Sequence, residues 1–444
     1  MIEMITRLPF PGNSVFRARS SGVLQRLDAL LAVALYLAAF ALYAPFGLRL
    51  AQGRYLDYYN LAFDFDPYRT LRTLALSPPD AQGFKHPLIL LLRAPAWLLV
   101  QSGVAPKSAA VLEMVAFGSG TVVLCFLFLR LAAAARAEAL ALTALFALTS
   151  TQILTSLITE SYGFSGFAIT LVWLIAMVRL RDPNRLSGLR VLAAVMALGV
   201  TVTNAVQPML AELLVAWRQR GLARAIRQVI RFGMVVGAIA ALLGVAIWFR
   251  ELWAAVHHPV LALKEIWWQQ TKGPRTDILA ELKAFFGFSF VAPHYSWLML
   301  PEGTNMRDFR QSAFALPGSI AAPAWLAFWM VGTVAGLRHH RYRWIALGLL
   351  AATAFNLLFH THFQFRGSLF IYAAHLHFTI FALGAGLAPW LAGQSRRLRG
   401  AYVCVVLALA ALIGANNLPI AAQFVSGFDQ VDTPCPAPCA DGLG

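Results

Sequence analysis

The sequence predicts an all-α polytopic membrane protein of about eleven transmembrane helices, and three observations carry that prediction. Of its 444 residues, 59% are hydrophobic and only 13% charged, whereas a soluble domain needs roughly 25% charged residues to build its surface. Apolar runs long enough to cross a bilayer, about 17–25 residues each, recur along the chain. The net charge of +16 falls on one side of the arrangement those runs define, as the positive-inside rule requires.

The runs lie near 27–48, 108–129, 138–157, 161–178 and 191–205, then near 205–217, 232–249, 315–336, 344–359, 368–391 and 401–420. Those near 191–205 and 205–217 are short and read as two tight, tilted spans. The first run is long and follows several arginines, so it reads as an anchor that stays in the membrane. With the N-terminus cytoplasmic, Arg26, Arg179, Arg181, Arg185, Arg218, Arg220, Arg224, Arg227, Arg338, Arg341 and Arg396 all fall inside, and the outer side is left near neutral. A nucleic-acid binder would gather its charge on one soluble face instead, so the expected partners are membrane lipids and no nucleic acid. The reading is of one membrane domain over 27–420 in a bacterial inner membrane, after a cytoplasmic segment 1–26. Outer loops occupy 50–107 and 250–314, and an outer tail 421–444. The loops' aromatics, among them Tyr55, Tyr59, Tyr295, Trp267 and Trp268, suggest helices lying at the headgroups.

Ionisable residues at span ends carry the chemical information, because burying charge there is costly. Five clusters fall on the outer side. Asp64 and Asp66, in Asn60-Leu-Ala-Phe-Asp-Phe-Asp66-Pro-Tyr-Arg69, are a candidate base and its neighbour; the bland alternative is a solvated loop turning at Asp-Pro. Residues two apart diverge on an extended or a helical backbone, so the two carboxylates are expected to have different roles. Asp66 is favoured as the base because Pro67 restricts its backbone. Lys85 and His86, before Pro87, suit a phosphate at a helix N-terminus, or a lysine that snorkels. Glu160 and Tyr162 sit at an outer turn where an acid would also serve a helix dipole. Asn204 lies at a further turn, where capping is the competing explanation. His360, His362 and Arg366 form a cation cluster suited to a phosphate, followed by Tyr372 and His375. Two histidines two residues apart are poor zinc ligands on a helix, so no metal site is expected. No cofactor is called for, although a divalent cation is compatible with the acidic pair.

The order of these segments resembles that of the GT-C glycosyltransferases, including the protein O-mannosyltransferases and the lipid A aminoarabinose transferases. Phe63-Asp64-Phe-Asp66-Pro is similar to the acidic segment of their first outer loop. Lys85-His86-Pro87-Leu88 resembles their His-Pro-Pro or Lys-Pro-Pro element, with one Pro kept. Glu160-Ser-Tyr162 and Phe370-Ile-Tyr372-Ala-Ala-His375 look like the Glu-Thr-Tyr and Phe-Leu-Tyr-Ser-x-His elements of a bacterial branch. The resemblance covers about residues 20–395. It implies a catalytic Asp in the first outer loop and a polyprenyl-phosphate sugar donor. It also implies a glycan, lipid or protein acceptor, and inversion at the anomeric carbon if displacement is single-step. Beside it stands a reading from another class, a transporter or flippase for a lipid-linked or anionic substrate, which predicts ionisable groups near mid-membrane and broken helices in paired positions.

Overall fold

The computed structural model describes residues 26–79, 86–132, 134–257, 277–299, 305–309, 313–362 and 368–428. Lys85, Arg366, Trp267, Trp268 and most of the 421–444 tail lie outside the described residues.

The chain is an α-helical, multi-pass membrane protein. Its helices are α1 (Arg26–Gln52), α2 (Pro67–Ala75), α3 (Ala94–Gln101), α4 (Pro106–Leu131), α5 (Arg136–Ala147), α6 (Ser150–Leu157), α7 (Ser161–Arg179) and α8 (Ser187–Val200). They continue as α9 (Val206–Arg220), α10 (Leu222–His257), α11 (Ile278–Leu282), α12 (Leu316–Arg338), α13 (Arg343–His362), α14 (His377–Gly384), α15 (Leu387–Leu391) and α16 (Arg396–Ser426). Two short strands, β1 (Ser296–Met299) and β2 (Asn305–Asp308), pair antiparallel with Trp297 opposite Arg307.

Not all of the eleven apolar runs are long, unbroken helices. Among the described residues seven helices are long and apolar enough to cross a membrane, or eight if the bent pair α5 and α6 counts as one span. The stretch expected to span at 191–205 is the shorter α8, and the one at 205–217 is α9, whose last turn carries Arg218 and Arg220. The stretch at 368–391 is broken into a 3₁₀ segment (Phe370–His375), α14 and α15.

The bundle has an inside. α7 is 89% buried over its apolar window and α4 72%, whereas α10 is 17% buried and α1 22%. α4 packs between α1 and α7. Helices that are apolar on all sides have no preferred face, so sequence pattern alone does not rank them by depth. The 61° break between α5 and α6 frees backbone groups that hydrocarbon could not satisfy, and protein atoms take them up. Asn417 Nδ2 donates to the Leu148 carbonyl at 2.8 Å, and the Ser150 and Thr151 amides donate to the Phe290 and Ser289 carbonyls. His377 belongs to this repair: its Nε2 lies 2.9 Å from Thr149 Oγ1, which makes it a core residue.

Candidate active site

The site begins with an unusual run of backbone. Asn60, Phe63 and Asp64 all have positive φ, at 58°, 54° and 57°. Asn and Asp tolerate this conformation, but for Phe it is uncommon and costs about 1–2 kcal/mol. Phe63 is held there by burial: its ring lies 4.7 Å from that of Phe309, 4.8 Å from Phe370 and 5.7 Å from Phe65. The loop is also stitched to β2, with the Phe63 amide donating to the Arg307 carbonyl at 2.9 Å and the Arg307 amide to Leu61 at 3.0 Å.

This geometry corrects the expectation that Asp64 and Asp66 diverge. The segment is neither extended nor helical, and both carboxylates reach one side chain. With its amide nitrogen turned toward the two acceptors, Asn60 is 2.8 Å from Asp64 Oδ1 and 3.2 Å from Asp66 Oδ1. Both acids are buried, at 5% and 8% exposure. Pro67 opens α2 just after Asp66, where proline is pre-organised for a first turn. That turn brings Arg69 within 3.7 Å of Asp66.

Glu160 reaches this loop from 94 residues away, accepting a hydrogen bond from the Asp66 amide at 2.7 Å through Oε2. Its Oε1 accepts from the Ser161 amide at 3.0 Å, making Glu160 the N-cap of α7. Glu160 thus caps α7, the bland reading of this acid, and also positions the acidic loop, a role that its sequence context does not suggest. Thr159 Oγ1 adds a second tie, donating to the Pro67 carbonyl at 3.0 Å. Underneath lies Tyr55, which is fully buried rather than interfacial. Burial pushes its hydroxyl well above the ordinary value, and the charges of Glu160, Tyr295 and Asp66 add to the effect.

From the acids a string of rings leads inward. Phe65 is 6.1 Å from Tyr162, which is 5.0 Å from His375 and 6.5 Å from Tyr372. His360 stacks on Tyr372 at 4.2 Å and on His375 at 6.2 Å. Neither ring nitrogen of the buried His360 has a hydrogen-bond partner among the described residues.

Three further expected members have other hydrogen-bond partners. His362 is exposed, with its Nδ1 2.9 Å from the Leu358 carbonyl of its own helix; two residues along a helix is a rotation of about 200°, so it cannot join His360. His86 and Asn204 lie on the α8 side of α7. His86 Nδ1 is 2.6 Å from the Val200 carbonyl, and Asn204 donates to Ser165 Oγ at 3.0 Å. Thr201 Oγ1 bridges them, 3.4 Å from His86 and 3.3 Å from Ser165.

Four residues were not singled out from the sequence. Asn60 and Arg69 stood inside the acidic motif, and the signals that find them are an Asn able to take positive φ and a cation three residues beyond an Asp-Pro helix start. Glu281 and Asp308 had no motif. Glu281 accepts from Thr361 Oγ1 at 2.6 Å, and Asp308 accepts from Ser368 Oγ at 3.0 Å. Asp308 lines a cavity of about 190 Å³ with Asp277, Lys283, Phe309 and Phe370. Among the described residues no group of three or more His, Cys, Asp and Glu side chains is arranged to hold a metal ion.

No protein-family model and no curated protein matches the chain. Among solved structures it is similar to the archaeal oligosaccharyltransferase AglB from Archaeoglobus fulgidus, a GT-C fold glycosyltransferase solved in complex with an inhibitory peptide and a dolichol-phosphate. The identity is 13% and the TM-score 0.42, over 95% of this chain. The chain spans 62% of the length of that protein.

Proposed function

We propose that this chain is a membrane glycosyltransferase that moves a sugar from a polyprenyl-phosphate-linked donor to a hydroxyl acceptor. The reaction is placed at the Glu160 end of the bundle, the periplasmic face in the orientation that the charge distribution predicts. The observation that carries this reading is the convergence of Asp64 and Asp66 on the Asn60 amide, at the end of a span, in a loop clamped by Glu160.

Transfer requires that the acceptor hydroxyl lose its proton as its oxygen bonds to the anomeric carbon, while the bond from that carbon to the phosphate oxygen breaks. In this reading the Asp66 carboxylate takes the proton and the electron pair of the broken bond leaves with the phosphate. Asp64 and Arg69 orient the base, and Asn60 donates to both carboxylates. Lys85, Arg366 and His360 are the groups proposed for the phosphate, where fixed electrostatics lower the barrier most. Tyr162, Tyr372 and His375 supply ring faces for the sugar. The acceptor is a glycan, a lipid or a protein.

The placement of charge supports an enzyme over a transporter. Asp28 with Arg130, Glu212 with Arg179, and Glu138 with Arg399 pair at the end opposite Glu160. Glu113, two turns into α4, accepts from the Ala96 amide at 3.1 Å. The test is turnover of Asp66→Asn and Asp64→Asn with a polyprenyl-phosphate sugar, once folding and donor binding have been verified. Loss of a general base typically costs 10²–10⁴-fold in rate, and that loss is expected for Asp66→Asn. Near-normal turnover in both variants would remove the proposal's main support.

A further inference from the structure

A spacious cavity among the described residues lies away from the acidic loop. α7 runs from Ser161, capped by Glu160, to Arg179, and its 19 residues at 1.5 Å each separate the two ends by about 28 Å. At the Arg179 end a cavity of about 510 Å³ opens between α8, α9 and α10. Six arginines line it: Arg179, Arg190, Arg220, Arg224, Arg227 and Arg231.

The arginines fall into two sets. Arg179 and Arg190 both pair with the buried Glu212, which also accepts from Gln228. They make a rigid floor, and Arg190 additionally lies 5.2 Å over the Phe232 ring. Arg224, Arg227 and Arg231 are spaced three and four apart on α10, so they share one helix face. They are exposed, and no carboxylate among the described residues pairs with them. Six guanidiniums thus face a single carboxylate. The positive-inside rule accounts for arginines at this end, but it counts charges and does not require them to line a hollow.

The walls say what kind of anion belongs there. Val191, Phe232 and Val235 make one side apolar, and the same helix goes on to expose Ile230, Met234 and Leu242 at 56%, 62% and 73%. A charged hollow that continues into an apolar helix face matches a lipid, with its headgroup against the arginines and its chains along α10. The volume exceeds what one phosphate fills, and the guanidinium fork binds phosphate oxygens in pairs.

We propose that this cavity binds the headgroup of an anionic membrane lipid carrying two phosphates. Basic pockets between membrane helices have the chemistry for such headgroups. The site is separate from the acidic loop and does not depend on the function proposed for it.

The experiment uses the full chain in detergent and native mass spectrometry, with cardiolipin as the two-phosphate probe and phosphatidylcholine as the zwitterionic control. Cardiolipin is expected to be retained and phosphatidylcholine not. The triple variant Arg224→Gln, Arg227→Gln, Arg231→Gln should weaken cardiolipin binding roughly a hundredfold, since each basic residue near an anionic lipid contributes about a factor of five. The equally charge-reduced Arg338→Gln, Arg396→Gln, Arg397→Gln should bind as the natural chain does. If the first triple does not fold, the single Arg227→Gln provides the reading, with a loss of about fivefold. Equal losses in both triples would reduce the effect to net charge and overturn the proposal, as would equal retention of both lipids. Saturable binding of inorganic pyrophosphate without cardiolipin retention would show a soluble anion in the cavity and overturn the assignment to a lipid.

Discussion

Asn60 is the residue on which the acidic pair turns, and its two contributions can be separated. Its φ of 58° is accessible to glycine without strain, while its amide is what the two carboxylates share. Asn60→Gly should therefore fold normally and yet lose roughly 10–100-fold in turnover, the worth of a hydrogen bond to a charged group. Unchanged turnover in the folded variant would show that the amide is idle. Glu160 acts through the backbone: Glu160→Ala leaves the buried Asp66 amide without its acceptor, at about 1–3 kcal/mol, and removes a helix cap worth about 1 kcal/mol. The expected readout is a lower thermal midpoint together with lower turnover. Glu160→Gln, which keeps one acceptor oxygen, should recover most of the midpoint.

At the scale of elements, α11 meets the end of α13 through Glu281 and Thr361. Burial pushes the Glu281 carboxyl up to about 7 from 4.5, opposed by the Thr361 hydrogen bond and by nearby His362. The folded chain thus keeps a proton that the unfolded chain has released. The contribution of this group is fully present below pH 4.5 and is lost as pH rises to about 7. The midpoint of the natural chain relative to that of Glu281→Gln should fall between pH 4.5 and about 8. A difference that rises through this window would contradict the assignment. A different contact sets the crossing of α12 and α14. A methyl at Gly332 would run into the Gly384 carbonyl, and small residues are what allow membrane helices this close. Gly332→Val is expected to abolish the folded species in size-exclusion profiles, whereas the same change at Gly237, which has open space around it, should be tolerated.

For the whole molecule, orientation ties the pieces together. The ion pairs and the arginine-lined cavity lie at one end and the acidic loop at the other, joined by α7. If the arginine end is cytoplasmic, reporters fused after Arg338 and after Gly444 should report opposite compartments. The same compartment for both would reverse or break the topology, and with it the periplasmic placement of the proposed reaction.

The sequence by itself determined that the chain is a helical membrane protein, roughly where its long helices lie, and that an acid stands at the start of α7. Each of these follows from composition or from patterns within a few residues: apolar runs, a polar cap, arginines at helix ends. The tertiary structure alone decided which candidates meet. Asp66 and Glu160 are 94 residues apart, and the positive φ of Phe63 depends on an aromatic cluster drawn from three other stretches of chain. His360 and His362 were equivalent on paper, but one faces the bundle and the other does not. The α5–α6 break likewise depends on distant chain, since Asn417 supplies one hydrogen bond from α16 and the Phe290 and Ser289 carbonyls accept two more. Hydropathy reports how apolar a segment is, and the difference between lipid and protein around it lies in contacts that no local pattern encodes.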